Sequence, residues 1–305
     1  LLIMFLDRLT YRKKAFGYYL LGSFIIIVFN QIGTIPLIFS IPDNIPIDAE
    51  SNPMDIIKLI PSNLRFFLLM IPSLITLPGI WLVVVKLHEL SFKTILTTRK
   101  KIDYNRIIFS FLVWAAIVTS FFIIGYFITP ENYVFNFKLK EFLILSVIAI
   151  LLVPVQTTVE ELVFRGYLMQ GFGGLFNSRL LALFFTSIIF GLLHLSNPEV
   201  AALGNLILIQ YLGYGFALGI MTLMDEGLEL AIGSHAANNL VIVLLVTSSW
   251  TVVETESIFR DITDPEMITP AYLLVPLIIF PIILYIFSKK YSWKDWNGKL
   301  ASRID

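Results

Sequence analysis

Residues 157–167, Thr-Thr-Val-Glu-Glu-Leu-Val-Phe-Arg-Gly-Tyr, set Glu160, Glu161 and Arg165 inside an otherwise apolar stretch. A charge at the centre of a membrane helix costs about 2.5–3.5 kcal/mol on insertion scales. Three together imply pairing, a wet cavity or a chemical task. Helical spacing divides them. Glu161 and Arg165 are i and i+4, share a face and can pair. Glu160 is turned by about 100° from Glu161 and presents a separate carboxylate. Such a carboxylate is a candidate general base or acid; the plainer alternative is a polar cluster that locks helix packing.

Two later clusters supply partners. Phe190-Gly-Leu-Leu-His194 puts Phe190 and His194 at i, i+4, with Gly191 allowing close helix approach. Ser234-His235-Ala-Ala-Asn238-Asn239 puts His235 and Asn239 at i, i+4, an imidazole and an amide on one face that could stabilise an oxyanion. Alone, a membrane histidine is more often an interhelical hydrogen-bonding group. Together the clusters bring a carboxylate, two imidazoles and an amide onto three spans of a chain with three histidines. The third, His88, opens His-Glu-Leu-Ser-Phe92, which lacks the second histidine of a His-Glu-x-x-His zinc motif and reads as a surface residue of a basic loop. There is no cysteine, hence no thiolate metal site or thiol nucleophile. No Gly-x-Ser-x-Gly elbow occurs, and Gly171-Phe-Gly-Gly174 reads as a flexible turn between spans.

The elements that must hold these groups are membrane helices. Of 305 residues 57% are hydrophobic and 14% charged, against about 25% charged in soluble domains. The formal net charge is zero, which gives no footing for nucleic acid. Eight apolar stretches fall near 18–40, 66–86, 107–129, 142–171, 179–196, 199–223, 227–248 and 270–288. The expected architecture is all-α: one polytopic membrane domain over 1–305, a core at 140–250 carrying the motifs, and peripheral spans at 1–139 and 270–305. The first stretch reads as a retained span, because no small-residue cleavage site closes a short apolar core. The chain opens Leu-Leu-Ile-Met, so either Met4 is the native start or the chain is part of a longer one.

Basic residues set the expected orientation. Arg8, Arg12, Lys13 and Lys14 precede the first stretch, the 86–106 loop carries Lys86, Lys93, Arg99, Lys100, Lys101 and Arg106, and the tail carries Lys289, Lys290, Lys294, Lys299 and Arg303. The positive-inside rule makes these segments and both termini cytoplasmic. Segment 41–65, with four prolines, reads as an extracytoplasmic loop. Residues 87–100 read either as a short interfacial helix or as an ordinary basic loop.

The ordered motifs Glu160-Glu161-x-x-x-Arg165, Phe190-x-x-x-His194 and His235-x-x-x-Asn239 resemble those of the CAAX-protease and bacteriocin-processing family of intramembrane proteases, which includes the type II CAAX prenyl endopeptidases. The resemblance covers roughly residues 140–250 and shows no departure at the motif positions. It implies about eight transmembrane helices around an intramembrane catalytic cavity. By similarity Glu160 activates water, His194 assists it, His235 and Asn239 stabilise the oxyanion, and Glu161, Arg165 and Phe190 support the site. The implied partners are membrane lipids and a peptide or protein substrate, with or without a lipid modification. The implied location is a bacterial inner membrane, with the endoplasmic reticulum as the alternative.

Metal dependence stays open at this level. Glu160, His194 and His235 form a permissible three-ligand zinc set with a site for water. The same groups suffice for metal-free glutamate–histidine chemistry, the preferred reading. A non-enzymatic scaffold, bacteriocin-immunity factor or cell-surface regulator on the same fold is the competing class. A proton-coupled transporter is a third, and it would call for an internal repeat that the sequence lacks. The fourth stretch, too long for one upright span, is expected to tilt or to kink at Pro154. With a turn near 174, Glu160 and His194 would differ in depth by about 9 Å; a turn near residue 178 would close most of that gap.

Overall fold

A computed structural model describes residues 4–7, 16–42, 56–268 and 270–304. The basic residues 8–14 and most of the 41–65 loop lie outside the described residues. The chain is an all-α polytopic membrane protein. Five helical spans among the described residues are long and apolar enough to cross a bilayer: Phe16–Ile38, Ser62–Leu87, Tyr104–Ile128, Leu139–Phe176 and Asn205–Asp225. The α-helical parts are α1 (Phe16–Ile38), α2 (Ser62–Leu82), α3 (Tyr104–Ile128), α4 (Leu139–Glu161), α5 (Met169–Phe176), α6 (Arg179–Leu192), α7 (Pro198–Leu203), α8 (Leu208–Asp225), α9 (Glu229–Leu245), α10 (Phe280–Lys290) and α11 (Trp296–Ala301).

Of about eight expected spans, five therefore have the length of a full crossing among the described residues. The apolar stretches at 179–196 and 227–248 fold into α6 and α9, of 14 and 17 residues. At 1.5 Å per residue α6 reaches only about 21 Å, short of a hydrocarbon core of about 30 Å. The 199–223 stretch is also not one helix. Gly204, at φ +78°, separates α7 from a short 3₁₀ turn and α8. The first half of α9 lies inside the bundle, whereas α6 buries one face and leaves Leu180, Phe184 and Leu192 exposed on the other. Residues 229–237 of α9 are buried throughout, and α9 packs on α3, α4 and α8.

Local signals explain the boundaries. Asp103 caps α3 by accepting from the Asn105 N–H at 3.1 Å. Asn177, at φ +48°, ends α5, and Ser178 then caps α6 by accepting from the Leu181 N–H at 3.3 Å. The turn thus sits at 177–178. Gly171 and Gly174 lie within α5, contrary to the flexible turn read from their composition. Gly171 instead admits Tyr19 of α1, whose ring would lie 2.7 Å from an added Cβ. Pro154 lies within α4 without ending it. The irregularity comes later, as a π-helical stretch over Leu162–Leu168 that joins α4 to α5.

Polar contacts tie each end of the bundle together. At one end β1 (Tyr133–Phe135), β2 (Val246–Ser248) and β3 (Phe259–Asp261) form a small sheet in the order β1-β3-β2, antiparallel then parallel. Beside it Lys58 donates to Ser249 O and Arg65 to Glu254 O. At the other end Asp225 accepts from Arg99 at 2.8 Å, from Arg106, and from the Trp293 indole at 3.0 Å. Arg99 also pairs with Glu229 at 3.0 Å. The 87–100 segment thus follows the loop reading rather than that of a continuous interfacial helix, but it is a tied-down loop. It forms a 3₁₀ turn, Phe92–Ile95, and Ile95 is fully buried. His88 is 2% exposed, with Nε2 3.0 Å from the Tyr167 hydroxyl. The basic neighbours of His88 point to a surface position, but tyrosines from α1 and the π stretch pack on it and bury it.

Candidate active site

The long helical segment 139–176 carries the first motif across the α4–π junction. Glu161 is the last residue of α4, and Arg165 lies in the π stretch. Their side chains are 0% and 1% exposed, and Arg165 Nη1 donates to Glu161 Oε1 at 2.8 Å. Arg165 also donates to Gly215 O on α8 at 3.3 Å and lies 4.4 Å from the Phe190 ring centroid. This cation is thus compensated by a carboxylate, a carbonyl and an aromatic face.

Glu161 does more than neutralise Arg165. Its Oε1 also receives His235 Nδ1 at 2.7 Å. The carboxylate is an acceptor, so Nδ1 carries the proton and the ring is fixed in one tautomer. The other ring nitrogen, Nε2, lies 3.7 Å from Glu160 Oε2. It accepts when the ring is neutral and donates when the ring holds a second proton. The two neighbouring glutamates therefore flank one imidazole: Glu161 holds it and Glu160 faces its free edge. The Glu160 side chain is 31% exposed. The 100° step between consecutive helical residues produces this difference in burial.

Asn239, one turn above His235 on α9, donates Nδ2 to Gln156 Oε1 at 3.3 Å. Gln156 Nε2 in turn donates to Glu160 Oε1. Gln156 was missed by sequence reasoning, although its signal was present: it stands at i−4 from Glu160, on the same face.

His194 lies just beyond α6, in the turn after Leu192, rather than on a helix face with Phe190. The face reading assumed a helix that α6 does not continue. A hydrogen bond at 2.7 Å joins His194 Nδ1 to Phe190 O, and the ring stacks on Tyr211 at 4.3 Å. Phe190 is the hub between the imidazoles, its ring centroid 4.9 Å from that of His194 and 6.2 Å from that of His235. Among the described residues no hydrogen bond links His194 to Glu160 or His235. The turn at 177–178 leaves Glu160 and His194 at similar counts from it, 18 and 16 residues, a difference in depth of about 3 Å.

Nor, among the described residues, do three His, Cys, Asp or Glu side chains gather closely enough to hold a metal ion. The trio Glu160, His194 and His235 does not fit zinc as arranged.

Residues 139–241 match the family model described as type II CAAX prenyl endopeptidase Rce1-like. That segment runs from the start of α4 to beyond Asn239 and holds all three motifs. The chain is similar to an uncharacterized protein of Bacillus subtilis (strain 168), YyaK, with 34% identity over 175 residues. The match takes in 57% of this chain and 58% of that protein, a little over half the length of each. No solved structure matches the chain.

Proposed function

We propose that the protein is an intramembrane endopeptidase whose catalytic core is the 139–241 segment. The observation that carries this reading is the pairing of unequal carboxylates: Glu161 is buried and bound through Oε1 to both Arg165 and His235, while Glu160 is a third exposed and faces His235 and Gln156. A structural polar cluster would bury and pair both.

In this mechanism the Glu160 carboxylate takes a proton from a water molecule, and the water oxygen bonds to the carbonyl carbon of the scissile peptide. The carbonyl oxygen becomes an oxyanion and receives hydrogen bonds from the second N–H of Asn239 Nδ2 and from His235 Nε2–H when the ring holds two protons. Glu160 then passes its proton to the leaving nitrogen as the C–N bond breaks. His194 assists from beside Phe190, through the Nε2 edge that its Nδ1 contact leaves free. Glu161 and Arg165 keep His235 in its tautomer.

The substrate is a membrane-associated peptide or protein. A prenylated CAAX-type peptide is the class named in the description of the matched family. The natural setting is a bacterial plasma membrane with both chain termini cytoplasmic. The test is to map new peptide C-termini in membranes of cells expressing the wild-type protein or Glu160→Gln. Termini generated by the wild type alone are expected. An identical set in both would overturn the reading.

A further inference from the structure

Behind Glu160 runs a chain of hydrogen bonds crossing three helices. Trp114 of α3, 3% exposed, donates its indole N–H to Asn238 Oδ1 at 3.1 Å. Asn238 Nδ2 donates to Asn239 Oδ1 at 3.0 Å. Asn239 Nδ2 donates to Gln156 Oε1 at 3.3 Å, and Gln156 Nε2 donates to Glu160 Oε1. An amide can normally be turned end for end without changing its shape. Here both ends of the chain remove that freedom. The indole can only donate, and an ionised carboxylate can only accept. Every amide between them therefore points its N–H toward Glu160.

We propose that Trp114, Asn238 and Gln156 are positioning residues, forming with Asn239 a one-directional relay that aims both the base and the oxyanion donor. This rests on the endopeptidase reading for its consequence, but not for its existence. The relay fixes Glu160 Oε1, leaving Oε2 as the oxygen toward His235. It also commits one Asn239 N–H to Gln156 and leaves the other for the oxyanion. Base and oxyanion donor are thereby held in one unit, although they lie on different helices. Aligned hydrogen bonds polarise one another, so the charge on Glu160 is felt at Trp114.

Indole-¹⁵N tryptophan labelling of the full chain in detergent micelles reads the relay without any substrate. The chain has five tryptophans, and Trp114→Phe assigns the resonance of Trp114. In Glu160→Gln and in Gln156→Leu the Trp114 indole proton should move upfield. The Trp293 indole, bound to Asp225, should not. A Trp114 resonance unmoved in both variants would overturn the relay.

The second arm uses Asn238→Asp, nearly isosteric, which still accepts from Trp114 but cannot donate to Asn239. The rate at which new C-termini appear should fall about tenfold to a hundredfold, the scale of misplacing a reacting group by ~1 Å. Trp114→Phe serves as a second variant should Asn238→Asp fail to fold. Wild-type rates in a folded Asn238→Asp or Trp114→Phe protein would overturn the positioning role. A Trp114 resonance that moves, together with a wild-type protein that yields no new termini, overturns the endopeptidase reading and not the relay.

Discussion

At the scale of single residues, Glu161 holds the site together. It answers a buried arginine and orients His235 with one oxygen. Losing one member of a buried ion pair costs about 3–5 kcal/mol, because the remaining charge is stranded. Glu161→Gln should therefore lower the unfolding midpoint in detergent markedly as well as abolish cleavage. The double variant Glu161→Leu/Arg165→Leu should recover much of the midpoint and none of the cleavage, since nothing then orders His235. Glu199, in the first turn of α7, tests a different principle. Its Oε1 accepts from the Val252 N–H at 3.0 Å, and its buried Oε2 has no hydrogen-bond partner among the described residues. Burial raises its carboxyl pKa above the ordinary 4.5, only partly opposed by Val252 and nearby His194. The folded state then binds the proton more tightly than the unfolded state. This contribution favours folding below pH 4.5 and is lost as the pH rises through the raised folded value. Glu199→Gln should remove that part of the pH dependence and raise the midpoint at neutral pH, as thermal unfolding across pH 4–8 would record.

At the scale of elements, the decisive contacts are close helix approaches that spacing alone does not reveal. A Cβ at Gly233 of α9 would lie 2.1 Å from Ile107 O and from Ser110 Oγ on α3. The backbone carbonyl cannot step aside, so Gly233→Ala must push α9, and with it His235, away from α3. A cost of about 1–3 kcal/mol is expected, with a matching loss of cleavage. A Cβ at Gly219 meets only the side-chain ends of Leu183 and Met169. Gly219→Ala should cost much less, and comparing the two unfolding midpoints checks this. Much of the site was legible in the sequence because i, i+4 spacing survives into the fold: Glu161 with Arg165, His235 with Asn239, and, unnoticed, Gln156 with Glu160. What was not legible depends on where helices stop or shift register. The short α6 puts His194 in a turn, and the π stretch changes how residues 162–168 are presented. Trp114 could not have been found from its neighbours, since only the α3–α9 packing brings it to Asn238.

At the scale of the whole molecule, the long apolar stretches were legible because lipid demands them, while the lengths of the individual helices were not. Hydropathy counts apolar residues without distinguishing lipid from protein as their surroundings, and residues 229–237 of α9 are buried in protein throughout. The two ends of the bundle differ in their polar contacts. Arg99 and Arg106 gather on Asp225 at one end, and the three-stranded sheet marks the other. Because the chain has no cysteine, its orientation can be tested directly. Lys101 and Glu131 are both exposed, one at each end. In intact cells a membrane-impermeant maleimide should label Glu131→Cys and not Lys101→Cys until the membrane is opened; the reverse pattern would invert the topology.

The central claim is that Glu160, and not its buried neighbour, activates the attacking water. The most direct measurement takes a substrate identified by its new C-terminus and follows its cleavage by purified wild-type and Glu160→Gln protein in liposomes, with unfolding midpoints recorded in parallel. Loss of a general base predicts a fall in kcat of about 10²–10⁴-fold with the midpoint unchanged. Cleavage by Glu160→Gln within a few fold of wild type would contradict the claim.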